Sequence, residues 1–270
     1  MHPMLTIAKR AAEEAGRVIQ QGYRQLEQIQ AQEKSPGDFV SIVDQQAERA
    51  IKAVLHDKYP THTIIGEESG ETQGKPNKGG DDYQWIIDPL DGTANFLHGI
   101  AQFAVSIALM KNGRLEVGLV YDPINDELFT AARGQGAQLN GRRIRTNAQR
   151  DPARSIIGTG FPFKNPELMD QQVRYVGALL QEFSDLRRLG SAALDLCYVA
   201  CGRLDAFYEM ALNPWDIAAG ILIAQEAGVI VTDLKEGHEM LDHGDVVCAN
   251  PYLHKVLAAT IKANTITETT

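Results

Sequence analysis

Apolar and small residues recur at helical spacing through residues 4–30 (Leu5, Ala8, Ala12, Ala15, Ile19, Tyr23, Leu26), set against Lys, Arg, Glu and Gln. That period predicts a surface helix with one face on a core. Gln32 to Asp38 reads Gln-Glu-Lys-Ser-Pro-Gly-Asp, turn chemistry that predicts a loop. A second helix is predicted from Asp44 to Tyr59, closed by Pro60. Thr63-Ile64-Ile65-Gly66 predicts a short strand running into Glu67-Glu68-Ser69, and residues 70–82, made of Gly, Lys, Asn and Asp with one Pro, predict an exposed loop.

From Gln84 to Arg145 the period shortens to that of strands, predicted at 103–111, 114–122 and 126–133, with Lys111-Asn112-Gly113-Arg114 as a hairpin signal. Beyond residue 145, strands near 155–160, 185–189, 204–208, 229–232 and 246–249 alternate with helices near 166–183, 191–201, 215–227 and 251–263. Such alternation predicts a layered α/β fold. The change near residue 145 reads as a change of pattern inside one domain, 1–270, with a polar, frayed tail over Asn264–Thr270.

Charge and cysteines narrow the function classes. The formal charge of −9 argues against a nucleic-acid surface, where Lys and Arg must neutralise phosphates. A phosphorylated substrate would need bound metal for much of its attraction. Cys197, Cys201 and Cys248 are odd in number and lack CxxC spacing, which fits a reducing cytoplasm. Cys197 and Cys201, at i,i+4, read as small core residues. The amphipathic N-terminus has no apolar h-region, and no run of about 18 apolar residues predicts a membrane span.

The most informative run is Trp85-Ile86-Ile87-Asp88-Pro89-Leu90-Asp91-Gly92-Thr93, an apolar strand that ends in two aspartates. Aiming two carboxylates out of a buried strand end is costly unless a cation sits there. Oxygen donors on a turn suit a hard divalent ion, and the Gly-Thr that follows offers N–H groups and a hydroxyl suited to phosphate. Other acids stand where structure should change: Asp44 at a helix start, Glu67 and Glu68 at a strand end, Asp216 after Pro214-Trp215. Each taken alone has a plain alternative, an N-cap for Asp44 and Asp216 and a solvated turn for Glu67-Glu68. Together they could converge at a sheet edge, where α/β sites lie.

The long motifs Ile65-Gly66-Glu67-Glu68-Ser69, Trp85 to Phe96 and Trp215-Asp216-Ile217-Ala218-Ala219-Gly220, supported by Gly190-Ser191-Ala192-Ala193 and Tyr208-Glu209-Met210, occur in one order along the chain. In these the chain resembles the inositol monophosphatase family of metal-dependent, lithium-sensitive phosphatases, nearest its bacterial SuhB-type members, over roughly residues 5–260. The resemblance implies a five-layer αβαβα sandwich, a homodimer, and two to three Mg²⁺ per subunit. It places the first metal on Glu67, Asp88 and the Leu90 carbonyl. The second falls on Asp88, Asp91 and Asp216, and a weaker third near Glu67. Thr93, supported by Asp44, would orient the attacking water. Gly92 and Thr93 would hold phosphate at a helix N-terminus, and Ala192, Glu209 and Asp216 would approach the substrate.

The loop Lys34 to Asp38 matches a family loop that closes near the third metal. Ser41 stands where threonine is commoner, and keeps the hydroxyl. The implied reaction is hydrolysis of myo-inositol 1-phosphate. Fructose 1,6-bisphosphate, 3′-phosphoadenosine 5′-phosphate and histidinol phosphate are the alternative substrates. SuhB-type relatives also imply contacts with Nus factors and RNA polymerase in transcription antitermination.

The remaining candidates read plainly. The histidines, His98, His238 and His243 among them, suit surface or capping roles, because Mg²⁺ prefers oxygen. Arg187-Arg188 could clamp phosphate, line a strand edge or touch a second subunit. Gly134-x-Gly136 lies between strands and predicts a turn, and Lys75-Pro76-Asn77-Lys78 a solvated loop.

Overall fold

The computed structural model describes residues 2–28, 31–35, 38–76 and 80–266. Helix α1 (Pro3–Tyr23) leads to a two-stranded antiparallel hairpin, β1 (Ala31–Ser35) and β2 (Asp38–Ser41), followed by α2 (Ile42–Lys58). The hairpin replaces the loop expected at 32–38. Its polar strand has no hydrophobic alternation to announce it, and Ser35 pairs with Asp38; Pro36 and Gly37 lie outside the described residues.

An eight-stranded sheet follows, built from β3 (Thr63–Gly66), β4 (Gly70–Thr72), β5 (Tyr83–Asp91), β6 (Ala104–Lys111), β7 (Arg114–Asp122), β8 (Glu127–Ala132), β9 (Ala137–Leu139) and β10 (Arg142–Arg143). Its order is β10-β9-β8-β7-β6-β5-β3-β4. Strand β4 is a correction to the loop expected over 70–82, of which 77–79 lie outside the described residues. A short helix, α3 (Thr93–Leu97), sits after β5.

The second sheet takes β11 (Ile156–Thr159), β12 (Asp185–Arg187), β13 (Ala206–Glu209), β14 (Ile230–Thr232) and β15 (Val246–Ala249), in the order β12-β11-β13-β15-β14. Between these strands run α4 (Met169–Glu182), α5 (Ala192–Cys201), α6 (Pro214–Glu226) and the one-turn α7 (Met240–His243), with α8 (Leu253–Ala263) last.

Alternation along the strands explains the layering. In β6, Val105, Ile107 and Leu109 join the core under α1 and α2, whereas Ala104 and Ala108 face α5 and α6. Small residues on the second face let a helix come close. A Cβ on Gly118 of β7 would stand 2.7 Å from the Ala219 carbonyl of α6. Helices α5 and α6 are apolar on nearly every side, as helices enclosed between two sheets must be. The far face of the second sheet is covered by α4 and α8. The order of layers is therefore α1/α2, large sheet, α5/α6, small sheet, α4/α8: the αβαβα sandwich anticipated.

Cys197 is buried, as the core reading expected, and Cys201 is half-buried against the same core; Cys248 is buried too, and all three cysteines are free. Of the tail expected to fray, Asn264, Thr265 and Ile266 are tied down. The Tyr175 and Thr265 hydroxyls lie 2.9 Å apart, and the Ile266 N–H donates to Gln171. Residues 267–270 lie outside the described residues. No helix among the described residues is long and apolar enough to cross a membrane.

Candidate active site

Strand β5 is buried from Trp85 to Leu90 and loses register with β6 between Asp88 and Asp91, so both carboxylates turn out of the sheet at its end. The Asp88 side chain, 2% exposed, accepts the Leu90 N–H at 2.8 Å, which closes the turn across Pro89. Asp91 accepts from the Ser191 hydroxyl at 2.6 Å and the Ala193 N–H at 2.8 Å, tying β5 to the first turn of α5, where Ala192 lies. Gly92 then takes φ +99°, and its missing side chain leaves room for the Gln102 and Gly190 carbonyls. Thr93 opens α3, a helix of only five residues.

Asp44 and Asp216 are not N-caps. Ser41 caps α2, and Asp44 sits three residues later, accepting from the Ser41 N–H at 2.9 Å and hydroxyl at 2.6 Å. Asn213 precedes α6 in the same way, its N–H donating to Asp216 at 2.7 Å. Both aspartates hold a reciprocal helix-start position that leaves one oxygen for other work. For Asp44 that work is Thr93, whose hydroxyl is 2.9 Å from Asp44 Oδ1 and 3.1 Å from the Leu90 carbonyl.

Asp88, Asp91 and Asp216 each bring a carboxylate oxygen to within 4.8 Å of the others. At that spacing each ionised pair costs about 3 kcal/mol at an effective dielectric near 20. Burial comes first in pushing Asp88 well above the usual carboxylate range, and the charges of Glu67, Asp91 and Asp216 add to it. Asp91 is pushed up to about 6 by burial, against the pull of its Ser191 and Ala193 donors. Asp216 is pushed up to about 7 by burial and by Asp91. Three carboxylates that resist ionisation together make a donor set that fits a hard divalent cation and could hold one. Glu67 is outside that triad, yet near enough that its charge acts on Asp88 and Asp91.

Glu209, at the end of β13, is pushed up to about 8 by burial and then by Asp216. Its carboxyl lies where a side chain at residue 160 would go: a Cβ on Gly160 would stand 1.8 Å from Glu209 Oε1. Behind it is Asp195, 1% exposed, held well above the usual range by burial and by Glu209. One of its oxygens has no hydrogen-bond partner among the described residues. Nothing in the sequence marks Asp195, because an acid inside an apolar helix looks like a solvent-facing position. Ser191, the hydroxyl donor to Asp91, was also missed as a site residue. The Ser41-x-x-Asp44 and Asn213-x-x-Asp216 spacings, by contrast, are legible helix-start signals.

Of the plainer candidates, Gly134 and Gly136 form a turn whose two N–H groups donate to the Glu226 carboxylate at 2.7 Å each. Arg187 pairs with Asp185, and Arg188 lies over the Phe163 ring and exerts its charge on Glu209. His243 lies 3.3 Å from Glu239 at the surface.

Residues 1–265 match the inositol monophosphatase family. The chain is 51% identical over 255 residues, 94% of each chain, to Nus factor SuhB of Pasteurella multocida. Its fold matches extragenic suppressor protein suhB of Bartonella henselae with a TM-score of 0.92 at 40% identity, covering 97% of this chain and 99% of that one. Inositol monophosphatase from Anabaena matches with a TM-score of 0.85 at 35% identity, covering 97% and 96%. With a family match over nearly its full length and relatives of this likeness, the chain belongs to the inositol monophosphatase family.

Proposed function

We propose that this protein is a Mg²⁺-dependent phosphomonoesterase that hydrolyses myo-inositol 1-phosphate and related small polyol phosphates. The observation that carries the reading is the convergence of Asp88, Asp91 and Asp216 within 4.8 Å beside a threonine hydroxyl aligned by Asp44. Asp88, Asp91 and Asp216 would hold one metal; Glu67, Asp88 and the Leu90 carbonyl would hold another, with a weaker third near Glu67. Bound Mg²⁺ supplies positive charge to the phosphoryl oxygens and acidifies water.

The chain's own groups do the positioning. Because Thr93 donates its proton to Asp44, its oxygen is left with lone pairs that accept a hydrogen bond from a water and orient it. The N–H groups of Gly92 and Thr93 face the phosphate. Glu209 and the Ala192 region receive the polyol hydroxyls, and Asp216 lies toward the ester oxygen. Water oxygen bonds to phosphorus as the ester P–O bond breaks, and the alkoxide takes up the proton that water loses. No residue is phosphorylated.

The test is phosphate release from inositol 1-phosphate with Mg²⁺ in the wild type, Asp88→Asn and Asp91→Asn; unchanged rates in the variants overturn the reading. Comparing kcat/KM with fructose 1,6-bisphosphate, 3′-phosphoadenosine 5′-phosphate and histidinol phosphate fixes the substrate.

The reading extends to a cytoplasmic homodimer in which residues 1–270 act as one lithium-sensitive catalytic domain. Exposed apolar positions on α4, Val173 at 59% and Leu180 at 49%, support the dimer. A second role is favoured by relatives named Nus factor SuhB: contact with Nus factors and RNA polymerase during antitermination. The charge of −9 supports a protein partner over direct nucleic-acid binding. Rescue of a deletion strain by Asp88→Asn would establish that second role as independent of catalysis.

A further inference from the structure

Glu67 occupies the turn of the β3–β4 hairpin, between Gly66 and Gly70, which pair across it. Its N–H donates to the Ile87 carbonyl at 3.2 Å, one residue before Asp88. The other side of this turn rests on a carboxylate from α2. Glu48 is 3% exposed and accepts the Glu68 N–H at 2.8 Å and the Ser69 hydroxyl. It lies so close to the strand end that a Cβ on Gly66 would stand 2.6 Å from Glu48 Oε2. Lys52 completes the set. Its ammonium donates to the Ser69 hydroxyl at 2.5 Å and the Thr72 hydroxyl at 2.7 Å, and lies 3.7 Å from Glu48. Glu67 is thus bracketed by a carboxylate that touches the residue before it and binds the two residues after it.

We infer that Glu48, backed by Lys52, is a positioning residue that holds the Glu67 turn against the end of β5, so that the Glu67 carboxylate is delivered beside Asp88. The inference rests on the reading of Glu67 as a metal ligand.

The geometry ties this to the rest of the site through one helix face. Residues four apart on a helix lie one above the other. Asp44, Glu48 and Lys52 therefore form a single polar stripe along α2, whose first member, Asp44, accepts the Thr93 hydroxyl. A buried carboxylate is retained only if its hydrogen bonds are satisfied, and the donors to Glu48 come from the Glu67 turn, with the Lys52 charge beside it. Removing Glu48 leaves the Glu68 N–H and the Ser69 hydroxyl without their acceptor and opens the space beside Gly66. The turn is then free to move away from Asp88.

The experiment is calorimetric titration of Mg²⁺ into the metal-free full chain for wild type, Glu67→Gln, Glu48→Ala, Glu48→Gln and Ser69→Ala, with phosphate release measured against Mg²⁺ concentration. Glu48→Ala is expected to weaken one class of Mg²⁺ site by about 10- to 100-fold, the usual effect of losing an outer-shell partner, and Glu67→Gln is expected to weaken the same class. Its kcat at saturating Mg²⁺ is expected to stay within about threefold of wild type, because no group that touches substrate has changed. Glu48→Gln, which keeps an acceptor for the Glu68 N–H, is expected to fall between wild type and Glu48→Ala.

Wild-type Mg²⁺ affinity in Glu48→Ala alongside weakened affinity in Glu67→Gln overturns the positioning role and leaves the metal assignment standing. Wild-type affinity in Glu67→Gln overturns the metal assignment itself. If Glu48→Ala fails to fold, Glu48→Gln and Ser69→Ala carry the test, and unchanged Mg²⁺ affinity in both overturns the inference.

Discussion

Thr93 Oγ1 lies 2.9 Å from Asp44 Oδ1, joining residues 49 positions apart in the chain. Asp44 is fully buried; Ser41 places two donors on its Oδ2, and Thr93 approaches Oδ1. Burial raises the Asp44 pKa, and hydrogen bonds from Ser41, Thr93 and its own backbone N–H oppose the rise. The pair fixes the direction of one hydroxyl, which is what orienting a water requires.

Thr93→Val keeps the shape of the side chain and removes the hydroxyl. If Thr93 orients the nucleophile, kcat is expected to fall by about 10²- to 10³-fold with little change in KM. Asp44→Asn should cause a smaller loss, since an amide can still accept from Thr93. Steady-state phosphate release at saturating Mg²⁺ checks both, and an unchanged kcat in Thr93→Val removes the water-orienting role.

Metal removal should make stability depend on pH in a defined direction. Asp91, Asp216 and Glu209 titrate in the folded protein at about 6, about 7 and about 8, above their unfolded values. Through that window the metal-free folded state binds more protons than the unfolded chain, so its stability falls as pH rises. Their contribution is fully present below the unfolded values near 4 and is lost as pH passes through the folded ones. In EDTA, urea midpoints are expected to drop between about pH 5 and pH 8, with a shallower slope in Asp216→Asn. Mg²⁺, which binds the ionised carboxylates, should flatten the slope in the wild type.

Glu209 and Gly160 compete for one space, which gives two independent ways to disturb the same contact. Glu209→Gln and Gly160→Ala are both expected to raise KM for inositol 1-phosphate about tenfold, the worth of one buried hydrogen bond. KM for an aryl phosphate, which has no polyol hydroxyls, should stay near the wild-type value. Equal effects on both substrates would remove Glu209 from the polyol contact.

Gly92 holds φ +99° with the Gln102 and Gly190 carbonyls 2.9 and 3.1 Å from where a Cβ would stand. Gly92→Ala is expected to cost about 1–3 kcal/mol in backbone strain, with more from the close contacts. Urea unfolding measures the loss. A wild-type midpoint would mean that the turn after Asp91 is free to rearrange.

The exposed apolar face of α4 offers a test of the dimer. Val173→Glu with Leu180→Glu places two charges on it, and light scattering is expected to show the mass falling from two chains to one. A double variant of unchanged dimer mass would place the interface elsewhere.

By itself the sequence determined the elements whose signals are local. The periods of α1, α5, α6 and the central strands, the hairpin at Asn112-Gly113 and the abrupt end of β5 in Asp88-Pro89-Leu90-Asp91 are all written within a few adjacent residues. The starts of α2 and α6 were legible in the same way, but the caps expected at Asp44 and Asp216 are Ser41 and Asn213. The five-residue α3 and the polar strand β1 escaped because such short elements carry no period of their own, and they form where neighbouring structure holds them.

Tertiary structure decided the partnerships. Ser191 reaches Asp91 across 100 positions, and Glu48 reaches Glu68 across 20, distances over which no propensity or spacing rule operates. Local signals reach about one helical turn, four residues, because backbone hydrogen bonds and side-chain neighbours act over that range. Which carboxylate faces a metal, which caps a helix and which holds a turn in place depends on where packing sets the layers. For Asp88 the sequence showed an acid that needed a partner; the packing of β5 against α2, α5 and α6 supplied the groups around it.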